Sequence, residues 1–145
     1  MKLAVTFWGT QTYLDFLPQW YGRLEKYFLP GVEKHYFVFT DGELEGTPEN
    51  VVKMDIPHYG FPTTYNKTFE EMLKLEDKVS DYDWLVSVDA DLYAWDDIQY
   101  EEFFDDSKIL KTVVPTAIIL PPFFLTLLIL FAESSEISPN SLCIL

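Results

Sequence analysis

The sequence is poor in cysteine and in positive charge. Its 145 residues include one cysteine, Cys143, so no disulfide can form within the chain and nothing points to an oxidising compartment. Ten lysines and arginines stand against 24 aspartates and glutamates, which gives a formal net charge of −14. Proteins that bind nucleic acid use a basic surface to contact its phosphates, so this charge argues against nucleic acid as a partner. An anionic ligand such as a nucleotide would need a metal ion or a locally positive pocket.

Several compact catalytic motifs are also missing. The sequence contains no glycine-rich phosphate loop, no nucleophile elbow and no cysteine pattern typical of zinc sites. Any chemistry must therefore come from more dispersed side chains. The two histidines, His35 and His58, are interpreted as hydrogen-bonded structural or surface groups. For the strand-end Asp41, contact with a ribose and formation of the turn before Gly42 are two equal alternatives.

Charge is absent from residues 112–132, whereas residues 1–108 hold nine of the ten cations and 22 of the 24 acids. This contrast divides the chain into a domain at 1–108 and a hydrophobic tail at 109–145. A run of this length at about 1.5 Å per residue is close to the thickness of a bilayer core, so membrane association is one interpretation. A core segment and an out-of-frame end of a truncated coding sequence are the others, and the abrupt change in composition favours the last. The localisation consistent with these options is cytoplasmic or membrane-associated.

Strand and helix patterns alternate through the first part of the chain. Continuous apolar runs predict strands, and apolar residues at helical spacing predict two amphipathic helices. Strands that are apolar on both faces and separated by helices are typical of a parallel sheet covered on both sides. The sequence therefore predicts an α/β fold with a mainly parallel sheet. The strands are expected at 3–7, 35–41, 51–56 and 84–88, and the helices at 13–28 and 65–79.

Two aspartates, Asp89 and Asp91, follow the last predicted strand. Side chains alternate along extended backbone, so both carboxylates can point the same way. Ligands of open parallel sheets bind beyond the carboxyl ends of the strands. Carboxylates at that edge suit Mg²⁺ or Mn²⁺, which take oxygen ligands together with substrate phosphates. The alternative is a solvated turn or helix cap in a very acidic chain.

Three stretches together resemble a known enzyme family. "FLPGVEKHYFVFTD" at 28–41, "YGFPTTYNKTFEEML" at 59–73 and "DYDWLVSVDADL" at 81–92 occur in order at suitable separations. They resemble glycosyltransferase family 6, which includes the histo-blood-group A and B transferases, the α-1,3-galactosyltransferases and smaller microbial members. "VDADL" is similar to the metal-binding Asp-x-Asp motif of that family. The resemblance covers roughly residues 3–104.

The resemblance implies a GT-A fold whose nucleotide-sugar (donor) binding domain occupies 1–108. It implies transfer of galactose or N-acetylgalactosamine from a UDP-sugar donor to a carbohydrate acceptor, with retention of configuration and with Mn²⁺ or Mg²⁺ as cofactor. Matched by position, some residues of this chain correspond to the family's donor site: Trp8, Thr10 and Tyr13 around the uridine, Lys67 near the diphosphate, and Asp89 and Asp91 at the metal. Packing at the strand end is the alternative for Trp8, and a surface position in the first helical turn is the alternative for Lys67.

The chain also departs from the family pattern. Thr68 stands where the family has an arginine after the lysine, and nothing after Lys108 resembles the family's acceptor-binding half. The sequence is therefore expected to represent a C-terminally truncated or frameshifted member with impaired transfer, and no catalytic residue is assigned. A non-catalytic nucleotide-binding fragment and a nucleotidyltransferase are the two alternatives.

Overall fold

Alternating strands and helices make up the part of the chain that the structure, a computed structural model, describes: residues 1–103 and 142–144. In chain order the elements are β1 (Lys2–Trp8), a 3-10 helix (Gln11–Phe16), α1 (Leu17–Tyr27), β2 (Glu33–Thr40), β3 (Val51–Asp55), α2 (Thr63–Leu73), α3 (Glu76–Val79), β4 (Trp84–Ser87), α4 (Tyr100–Phe103) and β5 (Leu142–Ile144).

The predicted α/β alternation is confirmed, with shifts at the helix boundaries. The helix expected at 13–28 starts as a 3-10 helix and becomes an α-helix at Leu17. Pro18 explains the change, because it has no N–H to donate to the carbonyl of Leu14 and is tolerated only in a first α-helical turn. The helix expected at 65–79 begins at Thr63 and is split into α2 and α3.

All strand pairs in the sheet are parallel, and the strand order is β3-β2-β1-β4-β5. The chain first builds outward from β1 to β2 and β3. It then returns to the opposite side of β1 to place β4, so that Val5 pairs with both Tyr36 and Val86. The order of strands therefore reverses between β1 and β4. In open parallel sheets such a switch point is where ligands bind, outside the carboxyl ends of the strands.

Helices cover both faces of the sheet. On one face, α1 inserts Leu17, Trp20 and Leu24 into a core that also contains Leu3, Val5, Phe7, Tyr36, Val38 and Val86. On the other face, Met72 of α2 and the following Leu75 pack against Ala4, Phe37, Phe39 and Leu85. Parallel crossovers are right-handed. The crossover from β1 to β2 through α1 and the crossover from β3 to β4 through α2 run in opposite directions along the sheet, so their helices lie on opposite faces.

The hydrophobic tail predicted at 109–145 lies outside the described residues except for β5. The proposed membrane segment, 112–132, lies wholly outside them. Among the residues that the structure describes, no helix is both long enough and apolar enough to cross a membrane.

Candidate functional site

The loops after β1 and β4 lie side by side at the carboxyl edge of the sheet. Thr6 pairs with Ser87 in the register of these two strands, and the backbone N–H of Val88 still donates to the Thr6 carbonyl at 3.2 Å. Beyond this point the chain turns, because the N–H of Leu92 donates to the Asp89 carbonyl at 3.0 Å. The turn puts Asp89 and Asp91 at the switch point between β1 and β4.

Both aspartates are exposed on this turn. Burial alternates along it, since Val88 and Ala90 are buried in the core packed against α1. Partial desolvation and then the negative charge of Asp91 raise the pKa of Asp89. The two carboxylates therefore interact electrostatically, and a bound cation would relieve their repulsion.

The backbone of this acidic turn is tied to the core by Trp20. The indole N–H of Trp20 donates to the Asp89 carbonyl at 3.2 Å, and the ring itself is fully buried. The ring packs edge-to-face with Phe7 and with Tyr36, at centroid distances of 5.0 and 5.6 Å. A rigid core residue of α1 therefore holds the first aspartate in position.

The acid pair suits a hard divalent cation but fills only part of its coordination shell. Across residues 1–103 and 142–144, no group of three or more histidine, cysteine, aspartate or glutamate side chains is arranged to hold a metal. Mg²⁺ commonly takes one or two carboxylates and completes its shell with water and substrate phosphates. Two carboxylates such as Asp89 and Asp91 would suffice as protein ligands only if water and a phosphorylated ligand completed the shell.

Trp8 and Tyr13, both expected near the uridine, lie in different settings. Trp8 ends β1 and stacks flat on Phe39, with ring centroids 3.8 Å apart. Its indole nitrogen is buried and has no hydrogen-bond partner within the described part of the chain. Tyr13 lies in the 3-10 helix, is 56% exposed and contacts the edge of Phe16. Trp8 is therefore partly a packing residue, whereas the Tyr13 ring is open to a ligand.

Thr10 makes a contact that sequence analysis missed. Its hydroxyl lies 2.7 Å from Nδ1 of His58, a residue in the loop after β3. Next to it, the backbone N–H of Gln11 donates to the Asp41 carboxylate at 2.9 Å. His58 was interpreted as a structural or surface group, and Asp41 as either a ribose contact or a turn former. Asp41 braces this loop, and His58 contacts it at the carboxyl edge. The available signal was that Asp41 ends one predicted strand and His58 closely follows another.

Lys67, expected near the diphosphate, lies on α2 and forms an ion pair with Glu70, one turn further along the helix. Thr68, which replaces the family's arginine, donates its hydroxyl to the Thr64 carbonyl at 2.8 Å. Of the predicted site residues, Thr10, Asp89 and Asp91 therefore lie on neighbouring loops, together with His58. Lys67 instead forms its ion pair with a residue of its own helix.

An open depression of about 340 Å³ lies elsewhere, on the outer face of α1. It is lined by Pro18, Gln19, Gly22, Arg23, Lys26 and Tyr27. None of these residues was predicted to bind a ligand. Because the chemistry-bearing side chains lie at the sheet edge, we regard that edge as the candidate site.

No model of a known protein family matches this chain, and no curated protein matches it either. The resemblance to glycosyltransferase family 6 therefore stays a prediction that rests on the three sequence stretches. The structure itself supports a coarser statement. The chain has an α/β fold with a parallel sheet, which is compatible with nucleotide binding, and an acid pair lies at the switch point of that sheet.

Proposed function

We propose that this chain binds a UDP-sugar through a divalent cation held by Asp89 and Asp91. The corresponding activity is that of a GT-A-type hexosyltransferase, which transfers galactose or N-acetylgalactosamine to a carbohydrate acceptor with retention. The observation that carries the proposal is the pair of exposed, electrostatically coupled carboxylates directly after β4. They follow the strand that borders the switch point, which is where ligands of parallel sheets bind.

The charge balance makes a metal central to this proposal. The chain carries a net charge of −14, and a sugar nucleotide adds a diphosphate. Lys67, the nearest candidate cation by resemblance, is already paired with Glu70. Asp89 and Asp91 would hold a divalent ion, whose charge would offset the negative charge of the carboxylates and of the donor's diphosphate and would favour departure of the phosphate. The chain's own residues hold that ion and orient the donor.

Metal-dependent UDP binding is the first test. Calorimetry on the full chain should detect UDP binding with Mn²⁺ and lose it with EDTA. Asp89→Asn and Asp91→Asn should each weaken binding by about tenfold or more, since each removes one charged ligand. Asp96→Asn is the matched control, because Asp96 is an exposed acid further along the same loop. UDP binding that survives EDTA and both substitutions would refute the proposal.

Turnover distinguishes the proposed enzyme from its alternatives. Release of UDP from UDP-galactose or UDP-N-acetylgalactosamine, stimulated by a panel of carbohydrate acceptors, supports the transferase. Metal-dependent UDP binding without turnover assigns a non-catalytic donor-binding protein. Release of pyrophosphate from UTP or CTP in the presence of a sugar phosphate assigns a nucleotidyltransferase.

A further inference from the structure

The loop after β1 is held tightly at the carboxyl edge. The backbone N–H of Gly9 donates to the Phe39 carbonyl at 3.1 Å, and that of Gln11 donates to the Asp41 carboxylate at 2.9 Å. Gln11 adopts a φ of 52°, a left-handed conformation that a non-glycine residue holds only at a cost. Two bonds to the end of β2 therefore keep Thr10, between them, in a defined position.

His58 reaches this loop across the end of β2. It follows β3, whereas Thr10 follows β1, and β2 lies between those strands. The imidazole is exposed, and its Nε2 has no hydrogen-bond partner among the described residues. A Thr10 hydroxyl that donates to Nδ1 leaves the ring proton on Nε2. The ring then presents one N–H group outward at the carboxyl edge.

The spacing of the sheet relates this group to the acid pair. β4 lies next to β1, and neighbouring strands are about 4.8 Å apart. The Thr10–His58 pair lies over β1 and β2, so it is roughly 5–10 Å along the edge from the end of β4. We take this direction, from β4 towards β1 and β2, as the one in which a nucleotide with its diphosphate near Asp89 and Asp91 extends its nucleoside.

We infer that His58 is a nucleoside-binding residue of the donor site and that Thr10 orients it. The Nε2–H group donates to an oxygen of the ribose or of the pyrimidine. This inference rests on the proposed function, because it takes the acid pair as the position of the diphosphate. It adds His58 to the donor site, a residue that was not among those matched by sequence position.

The test compares UDP with inorganic pyrophosphate, both titrated by calorimetry with Mn²⁺ into the full chain. His58→Ala should weaken UDP binding about three- to tenfold, the effect of one lost neutral hydrogen bond, and leave pyrophosphate binding unchanged. His58→Gln should retain most of the affinity for UDP, because its amide can still donate. Thr10→Val should weaken UDP binding less than His58→Ala does, since the imidazole remains but is no longer oriented.

Two controls separate this inference from the proposed function. His35→Gln changes the chain's other histidine, which lies in β2 and contacts Tyr82, and it should leave the affinity for UDP unchanged. Asp89→Asn should weaken UDP and pyrophosphate binding alike. The assignment of His58 is overturned if His58→Ala leaves UDP affinity intact, or weakens both ligands equally, while Asp89→Asn still weakens metal-dependent binding. If Asp89→Asn instead leaves metal-dependent UDP binding unchanged, the proposed function itself is refuted.

Discussion

A buried pair of hydroxyl groups between β1 and β4 allows a quantitative test of how the site is supported. The Thr6 hydroxyl donates to Ser87 Oγ at 2.9 Å, and both residues are buried. Their backbones are directly paired in the sheet, two residues before Asp89. This is the point where the strand order reverses, so the bond joins the two strands on which the candidate site is built.

The expected cost of breaking this bond follows from burial. Thr6→Val conserves the shape of the side chain but leaves the Ser87 hydroxyl without its partner. Leaving a buried hydroxyl unpaired costs about 1–3 kcal/mol of unfolding free energy. Ser87→Ala leaves the Thr6 hydroxyl unpaired and should cost a similar amount. The double variant removes both polar groups, so its stability should lie within about 1 kcal/mol of wild type.

Urea unfolding of the four proteins measures this cycle. The expected coupling energy is at least about 1 kcal/mol, because the two single costs together exceed the cost of the double variant. The dependence of the unfolding free energy on urea concentration should be unchanged. The double variant should also bind UDP with Mn²⁺ as wild type does. If each single substitution costs less than about 0.5 kcal/mol, or if the two effects simply add, then the hydroxyls do not support one another and the reasoning fails.

Two further predictions concern the loop after β1 and the polar cluster on α2. Gly9→Ala should destabilise the fold by about 1–3 kcal/mol, because the new Cβ would lie 2.4 Å from Cε1 of the fully buried Phe7 ring. Burial acts to raise the pKa of Glu71, but its bonds to Lys74 and Tyr59 outweigh that effect and lower it overall. The stabilisation from Glu71 is therefore present above its unfolded pKa, near 4.5, and is lost as the pH falls through the folded value.

Matched variants check both predictions by urea unfolding. Gly22→Ala introduces a Cβ that meets nothing within 4 Å in the middle of α1, and it should stabilise the protein by up to about 1 kcal/mol. Equal effects at Gly9 and Gly22 would contradict the steric argument. The stability difference between wild type and Glu71→Gln should shrink as the pH is lowered from 6 towards 3; a constant difference would show that the Glu71 carboxylate contributes no charge-dependent stability.

Much of the secondary structure could be predicted because the strands are buried on both faces. The centres of β1, β2 and β4 are continuous apolar runs (residues 3–5, 36–39 and 84–86), which is typical of the interior strands of a parallel sheet. The helix boundaries were less accurate. Periodicity extended the first helix back to residue 13, but Pro18 interrupts the hydrogen-bond ladder and the segment before it forms a 3-10 helix.

The candidate site was predictable only where its residues are close in sequence. Asp89 and Asp91 form a local pattern that needs only a strand before it. The contact between Thr10 and His58 joins residues 48 positions apart, and His58 carries no local signature of a binding residue. Only the order of the strands shows that the loops after β1 and β3 can meet across the end of β2.

By itself, the sequence determined the net charge, the alternation of strands and helices, and the presence of two acids after an apolar strand, since each depends on neighbouring residues. The tertiary structure decided that β4 lies beside β1, which puts those acids at a switch point, and that His58 meets Thr10. The physical reason is that any two apolar strands offer the same backbone hydrogen bonds. Which strands become neighbours depends on helix packing against both faces and on crossover handedness, not on local pattern.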